Sequence, residues 1–198
     1  MSSATVSVVI PTIAPRRALL DRAVESAQLQ TLGRDAVDII VVEDKQHLGA
    51  AATRNRGLSF AETPWTAFLD DDDTLEPEHL EKLLAYAQRL DADLVYPWFH
   101  LPNGTDPFPD RFGVPFDAAE LARRNYIPVT VLARTVAIQA VGGFRALNTS
   151  TEPGASPCED WGCWQAMLAA EARFVHLPER TWTWNWHGRN TSGRGDRW

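Results

Sequence analysis

Long apolar runs, paired cysteines and a surplus of basic residues are all missing from this sequence. No stretch approaches the roughly 20 apolar residues that span a bilayer, and residues 1–9 lack the charged start and long apolar segment of a secretory leader. Cys158 and Cys163 are the only cysteines. They make no disulfide framework, and no second Cys/His pair gives them zinc-site spacing. These absences lead us to expect a chain in a reducing, cytoplasmic setting with no membrane span. Lysine is nearly absent as well, with Lys45 and Lys82 alone. The formal net charge is −7, opposite to the basic face that a general nucleic-acid binder needs, so nucleic acid is not an expected partner. A nucleotide ligand stays compatible with that sign, because one phosphate pocket needs only local donors or a metal ion.

What the chain does have is globular. It has 198 residues, 44% hydrophobic and 23% charged, which suits one domain with a sizeable core. It is rich in tryptophan, and Trp182, Trp184, Trp186 and Trp198 crowd its end. Such a tail is expected to pack on something or to line a ligand site. The first half alternates between two periodicities. Residues 5–10 (TVSVVI) read as a buried strand, and apolar positions from Leu19 to Leu29 recur at helical spacing. Residues 37–42 read as a strand, 50–62 as a helix and 66–69 as a strand. A third helix opens at Pro77, and 94–96 form a fourth strand. This order predicts an α/β fold with a mainly parallel central sheet and helices flanking it. Further on, residues 97–115 read as a proline-rich irregular loop and 117–125 as a helix. Residues 129–133 read as a strand, 160–171 as a helix, and 173–176 and 181–186 as two closing strands. Residues 148–157 are polar and rich in Ser, Thr, Gly and Pro, which predicts a lid. No repeat or domain linker is evident.

Ligands in such sheets bind beyond the carboxyl ends of the strands. That rule selects Pro11-Thr12, Glu43-Asp44 and Asp70-Asp71-Asp72-Asp73. In an extended segment Asp70 and Asp72 would project one way, and Asp71 and Asp73 the other. Carboxylates forced together raise each other's pKa unless a cation sits between them. Hard divalent ions such as Mg²⁺ and Mn²⁺ bind through one or two carboxylates plus substrate phosphates. A solvated acidic turn ahead of the Pro77 helix is the plainer alternative. Asp70 to Leu75 also reads Asp-x-Asp-x-Thr-Leu, the nucleophile pattern of aspartate-based phosphatases. That chemistry needs a lysine well downstream, and none follows Lys82.

Taken in order, seven segments resemble the family 2 glycosyltransferases, whose nucleotide-sugar-binding fold is called GT-A. They are VSVVIPT at 6–12, DIIVVED at 38–44, GAAATRNRG at 49–57 and FLDDDD at 68–73 followed by Pro77. Gly142-Gly143-Phe144, Glu159-Asp160-Trp161 and WHGRNTS at 186–192 complete the set. The resemblance implies a nucleotide-sugar donor held by the backbone at Pro11 and Thr12, by Asp44, Arg54, Asp70 and Asp71. It implies a divalent cation, Mn²⁺ or Mg²⁺, on Asp72 with Asp70 nearby, and His187 as a further metal or diphosphate contact. It implies Asp160 as the base that takes the acceptor's proton, with Glu159 the next candidate. Residues 1–96 would bind the donor and 97–198 the acceptor. For each residue a plainer role exists: Arg54 pairing with Glu43 or Asp44, Asn55 capping a turn, Asp160 capping its helix. The chain departs from the family pattern where Lys45-Gln46 follow the second-strand acids and the loop to Gly49 is short. The expectation is therefore a single-domain inverting glycosyltransferase that uses a UDP-linked sugar and a divalent metal. Its acceptor is a glycan, lipid, small molecule or protein, and a homo-oligomer stays an open option. A module that binds a nucleotide or glycan without transfer is the other class to discriminate.

Overall fold

The computed structural model describes residues 4–102, 112–145 and 159–185. Strand β1 (Val6–Thr12) is buried along its whole length and lies inside the sheet, as its run of β-branched residues predicts. It pairs in parallel with β2 (Val37–Glu43) on one side and β3 (Trp65–Phe68) on the other. Helices α1 (Arg17–Gln28) and α2 (Ala50–Leu58) make the crossovers. Helix α2 presses directly on β1: a Cβ at Gly57 would sit 2.3 Å from Val9 Cγ1. That contact explains why position 57 is glycine. The helix stops at Leu58 rather than at 62, because the chain must turn through Pro64 into β3.

The remaining elements are β4 (Thr74–Leu75), α3 (His79–Leu90), β5 (Leu94–His100), α4 (Ala118–Arg123), β6 (Leu132–Arg134), α5 (Thr135–Ala140), α6 (Glu159–Ala169) and β7 (Phe174–Thr183). They complete one seven-stranded sheet in the order β2-β1-β3-β6-β5-β7-β4. Strands β6 and β4 run against their neighbours, and the other five share one direction. The result is the mainly parallel α/β sheet that the sequence predicts.

Three local expectations are corrected. Residues 97–100 belong to β5 rather than to a loop. Residues 173–176 and 181–186 are not two strands, since β7 runs unbroken from Phe174 to Thr183. Both misreadings come from prolines. The β5–β7 register shifts between Tyr96 and Trp98, so that 177–179 lie opposite Pro97 alone. This bulge takes Pro97 and Pro178, which have no N–H to give the ladder, out of regular pairing. The third correction is that α3 begins at His79, with Pro77 in the turn before it.

Alternation along the strands builds a core on each face. Val6, Val8 and Ile10 of β1 join Ala23 and Ala27 of α1, Leu80, Leu83 and Ala87 of α3, and Trp182 and Trp184. Phe99 meets both tryptophans edge-on, with ring centroids 5.3 and 5.1 Å away, so these two residues of the tail are packing residues. On the opposite face Val9 joins Leu58 of α2, Leu121 of α4, Ile138 of α5, and Trp164 and Met167 of α6.

His79 adds a pH-dependent component to the first core. It is fully buried, with Nδ1 2.8 Å from Thr181 Oγ1, and burial pushes its pKa down to about 3. A depressed histidine contributes stability above its unfolded pKa of about 6.5. That stability is lost as pH falls from there towards 3, at up to about 1.4 kcal/mol per pH unit. We expect wild-type unfolding free energy, measured with urea between pH 6 and 4, to fall more steeply than that of His79→Gln. Equal slopes would contradict this role.

Candidate active site

The carboxyl ends of β1, β2 and β3 converge, and Asp44 N donates to Thr12 O at 2.8 Å to extend the pairing of β1 and β2. A cleft of about 610 Å³ opens there, lined by Thr12, Ile13, Glu43 and Lys45 among others. Pro11 is buried in β1 beside Val42. The Asp44 carboxylate is largely shielded and accepts from Leu48 N at 2.9 Å and Gly49 N at 2.8 Å. Burial opposes its ionisation, but these amides prevail and hold its pKa below the usual carboxylate range. Asp44 therefore ties together the short loop to α2, while each oxygen keeps further acceptor capacity.

Beyond β3 the four aspartates do not alternate as an extended segment would. They form a tight turn closed by Asp73 N donating to Asp70 O at 3.1 Å. The turn brings Asp73 round to join Asp70 and Asp72, and carboxylate oxygens of all three lie within 4.8 Å of one another. Asp71 points elsewhere: it accepts from Thr12 Oγ1 at 2.7 Å and from Arg16 Nη1 at 2.8 Å. Arg16 also approaches Asp72 at 3.6 Å. Two residues past β7, Asn185 donates its backbone N–H to Asp73 Oδ1 and its amide to Asp72 O, both at 2.8 Å. Burial, then the charges of Asp72 and Asp70, push the Asp73 pKa well above the ordinary value. Three oxygen donors crowded in this way fit a hard divalent cation, which would relieve their repulsion.

Arg54 is 4% exposed and pairs with neither Glu43 nor Asp44. Instead it reaches Asp70 and Glu159, each at 2.5 Å. Burial works against its charge, but Asp70 and then Glu159 outweigh it. This guanidinium bridges the aspartate turn to the first turn of α6. The next residue, Asn55, is structural: it donates to Phe144 O at 2.7 Å and accepts from Phe144 N at 2.8 Å. The Arg-Asn-x-Gly and Gly-Gly-Phe segments thus lock onto each other. Gly143, at φ 68°, leaves no room for a Cβ against Asn55 Oδ1.

Across the bridge, Asp160 accepts from Trp161 N at 2.8 Å and from Asn125 Nδ2 at 3.0 Å. Burial and then the neighbouring Glu159 charge raise its pKa to about 7, against the lowering influence of Arg54, Trp161 N and Asn125. A carboxylate poised near neutrality suits a general base. Glu159 has its Oε1 on Arg54.

The structure brings together Thr12, Arg54, Asp70, Asp71, Asp72 and Asp160, with Pro11 and Asp44 at the neighbouring strand ends. His187, the segment 186–192 around it and the expected lid at 148–157 lie outside the described residues. Sequence reasoning selected Asp73 within the aspartate run without giving it a ligand role, and it missed Arg16, Asn125 and Asn185. Arg16 and Asn185 stand close to segments already singled out, and nothing local marked Asn125.

Among solved structures, the chain is similar to S. aureus TarS with UDP-GlcNAc (TM-score 0.74, 17% identity, 95% of this chain and 60% of that one). It is also similar to the mannosyltransferase PcManGT of Pyrobaculum calidifontis, solved with GDP-Man and Mn²⁺ (TM-score 0.66, 16% identity, 94% and 58%). At these identities the likeness shows the GT-A fold. By sequence it is 33% identical over 153 residues to the pre-mycofactocin glycosyltransferase of Mycobacterium tuberculosis, covering 71% of this chain and 31% of that protein. It thus spans under a third of that relative and three fifths of TarS. The glycosyl transferase family 2 profile matches residues 38–139, just over half of the chain. The chain belongs to glycosyl transferase family 2.

Proposed function

We propose that this chain is an inverting glycosyltransferase that takes a sugar from a UDP-linked donor to an acceptor hydroxyl with the help of Mn²⁺ or Mg²⁺. The observation that carries the reading is the bridged site: the three-carboxylate cluster on one side, Glu159 and Asp160 at the start of α6 on the other, and Arg54 joining Asp70 to Glu159. The cleft at the ends of β1 and β2 falls within the roughly 300–1,000 Å³ of ordinary ligand pockets and receives the base, with Thr12 and Glu43 in its lining and Asp44 next in the chain. Asp71, anchored by Thr12 and Arg16, faces the nucleotide, and Arg54 adds positive charge near its phosphates. Asp70, Asp72 and Asp73 would hold the cation, and His187 would be a further metal or diphosphate contact. When bound, the cation supplies Lewis-acid stabilisation of the leaving diphosphate. Asp160 accepts the proton of the acceptor hydroxyl as that oxygen attacks the anomeric carbon from the face opposite the diphosphate, which inverts the configuration. Residues 1–96 bind the donor and 97–198 the acceptor, whether glycan, lipid, small molecule or protein side chain. No helix among the described residues is long and apolar enough to cross a membrane.

The test is incubation with UDP-sugars and Mn²⁺ while free UDP is followed. We expect slow hydrolysis that stops in EDTA. UDP binding with no release from any UDP-sugar would mark a binding module instead.

A further inference from the structure

A general base must be aimed as well as placed, and the residue that aims Asp160 lies outside the seven motif segments read from the sequence. Helix α4 is capped by Asp117, whose side chain accepts from Glu120 N at 2.9 Å. It packs beside α6, where Trp161 Nε1 donates to Leu121 O at 2.6 Å and Gln165 reaches Ala122 O at 3.4 Å. At the end of α4, Arg124 turns extended (φ −150°, ψ 153°). Asn125 follows, 7% exposed. Its Oδ1 accepts from Ile127 N at 3.2 Å, which fixes the oxygen end of the amide. The nitrogen end is left to donate to Asp160 Oδ2 at 3.0 Å, while Asp160 Oδ1 accepts from Trp161 N at 2.8 Å. Two donors from two elements therefore grip the two carboxylate oxygens.

We propose that Asn125 is a positioning residue for the catalytic base: its pinned amide sets the plane of the Asp160 carboxylate. The inference rests on the reading of Asp160 as the base. Among the described residues, the charged and titratable groups facing Asp160 are Glu159 and Cys163 on α6 and Arg54 from α2. Glu159 opposes ionisation and Arg54 favours it. On the α4 side the donor is the uncharged Asn125, and a hydrogen bond to the charged form also favours it.

The test uses wild type, Asn125→Ala, Asn125→Ser and Asp160→Asn, each labelled with ¹³C at aspartate carboxyls. The signal absent from Asp160→Asn assigns Asp160. We expect its titration midpoint, about 7 in the wild type, to move up in Asn125→Ala and to return part of the way in Asn125→Ser. In parallel, UDP release from UDP-GlcNAc with Mn²⁺ at pH 6 should fall on the order of tenfold in Asn125→Ala for a shift of about one unit, with KM unchanged. An unmoved midpoint in Asn125→Ala and Asn125→Ser, both folded as judged by melting, overturns the proposal. Full UDP release by Asp160→Asn would sink the base reading itself. The titration needs no substrate, so it decides the role of Asn125 separately.

Discussion

Asp160→Asn is expected to retain donor binding and to lose on the order of 10²–10⁴-fold in transfer rate, the usual cost of removing a general base. The side chain keeps its shape, and its oxygen still accepts from Trp161 N. Its new NH₂ then meets the Asn125 amide nitrogen, which Ile127 N prevents from turning over. That donor–donor conflict should cost about 1 kcal/mol of stability, too little to unfold the domain. The wild-type pH profile adds a second check. Burial and Glu159 raise the Asp160 pKa to about 7, so the base is mostly ionised only above that value, and kcat/KM should rise with pH through it. Asp160→Asn should lose that limb. Near-normal turnover with a true acceptor would reduce Asp160 to a residue of the helix start and move attention to Glu159. The Arg54 contact already made by Glu159 ranks it second.

Asp72→Asn is expected to weaken Mn²⁺ and UDP together, by at least about tenfold. A hydrogen bond or ligand contact to a charged group contributes about 1.5–3 kcal/mol, and 1.4 kcal/mol is a factor of ten in affinity. Asp72 is 6% exposed inside the cluster with Asp70 and Asp73, so no solvent-facing residue can replace its charge. Titration of Mn²⁺ followed by UDP on wild type and variant reads both effects. Normal binding of both by Asp72→Asn would make the cluster an acidic turn ahead of α3.

The elements that could be read from the sequence were those with long apolar runs of their own. Strands β1, β2 and β3 each lead into a polar residue at or just past their carboxyl ends, so the strand-end rule found Thr12, Asp44 and Asp70. Strand β4 (two residues) and α5 (six) are too short for any periodicity to show, and the strand read at 129–133 overlaps β6 (Leu132–Arg134) at its last two residues alone. Their places are set by partners such as β3 for β6 and β7 for β4. Pro97 and Pro178 hid a continuous β5–β7 pairing because a bulge accommodates both. The aspartate run misled for a different reason: alternation assumes an extended backbone, and the Asp73-to-Asp70 hydrogen bond makes a turn that regroups the side chains. Arg54 was legible as a site residue but its partners were not, since Glu159 is 105 positions away. Asn125 and Asn185 act through similar long-range contacts, for which neither residue type nor spacing gives a signal.

The central claim is that the carboxylate cluster binds the donor's diphosphate through a divalent cation. Titration calorimetry of UDP into the wild-type protein, once with saturating Mn²⁺ and once in EDTA, tests it most directly. The account predicts heat of binding and a saturable isotherm with Mn²⁺ and none in EDTA, where the repelling aspartates face the diphosphate unscreened. Equal affinity in the two buffers would contradict it.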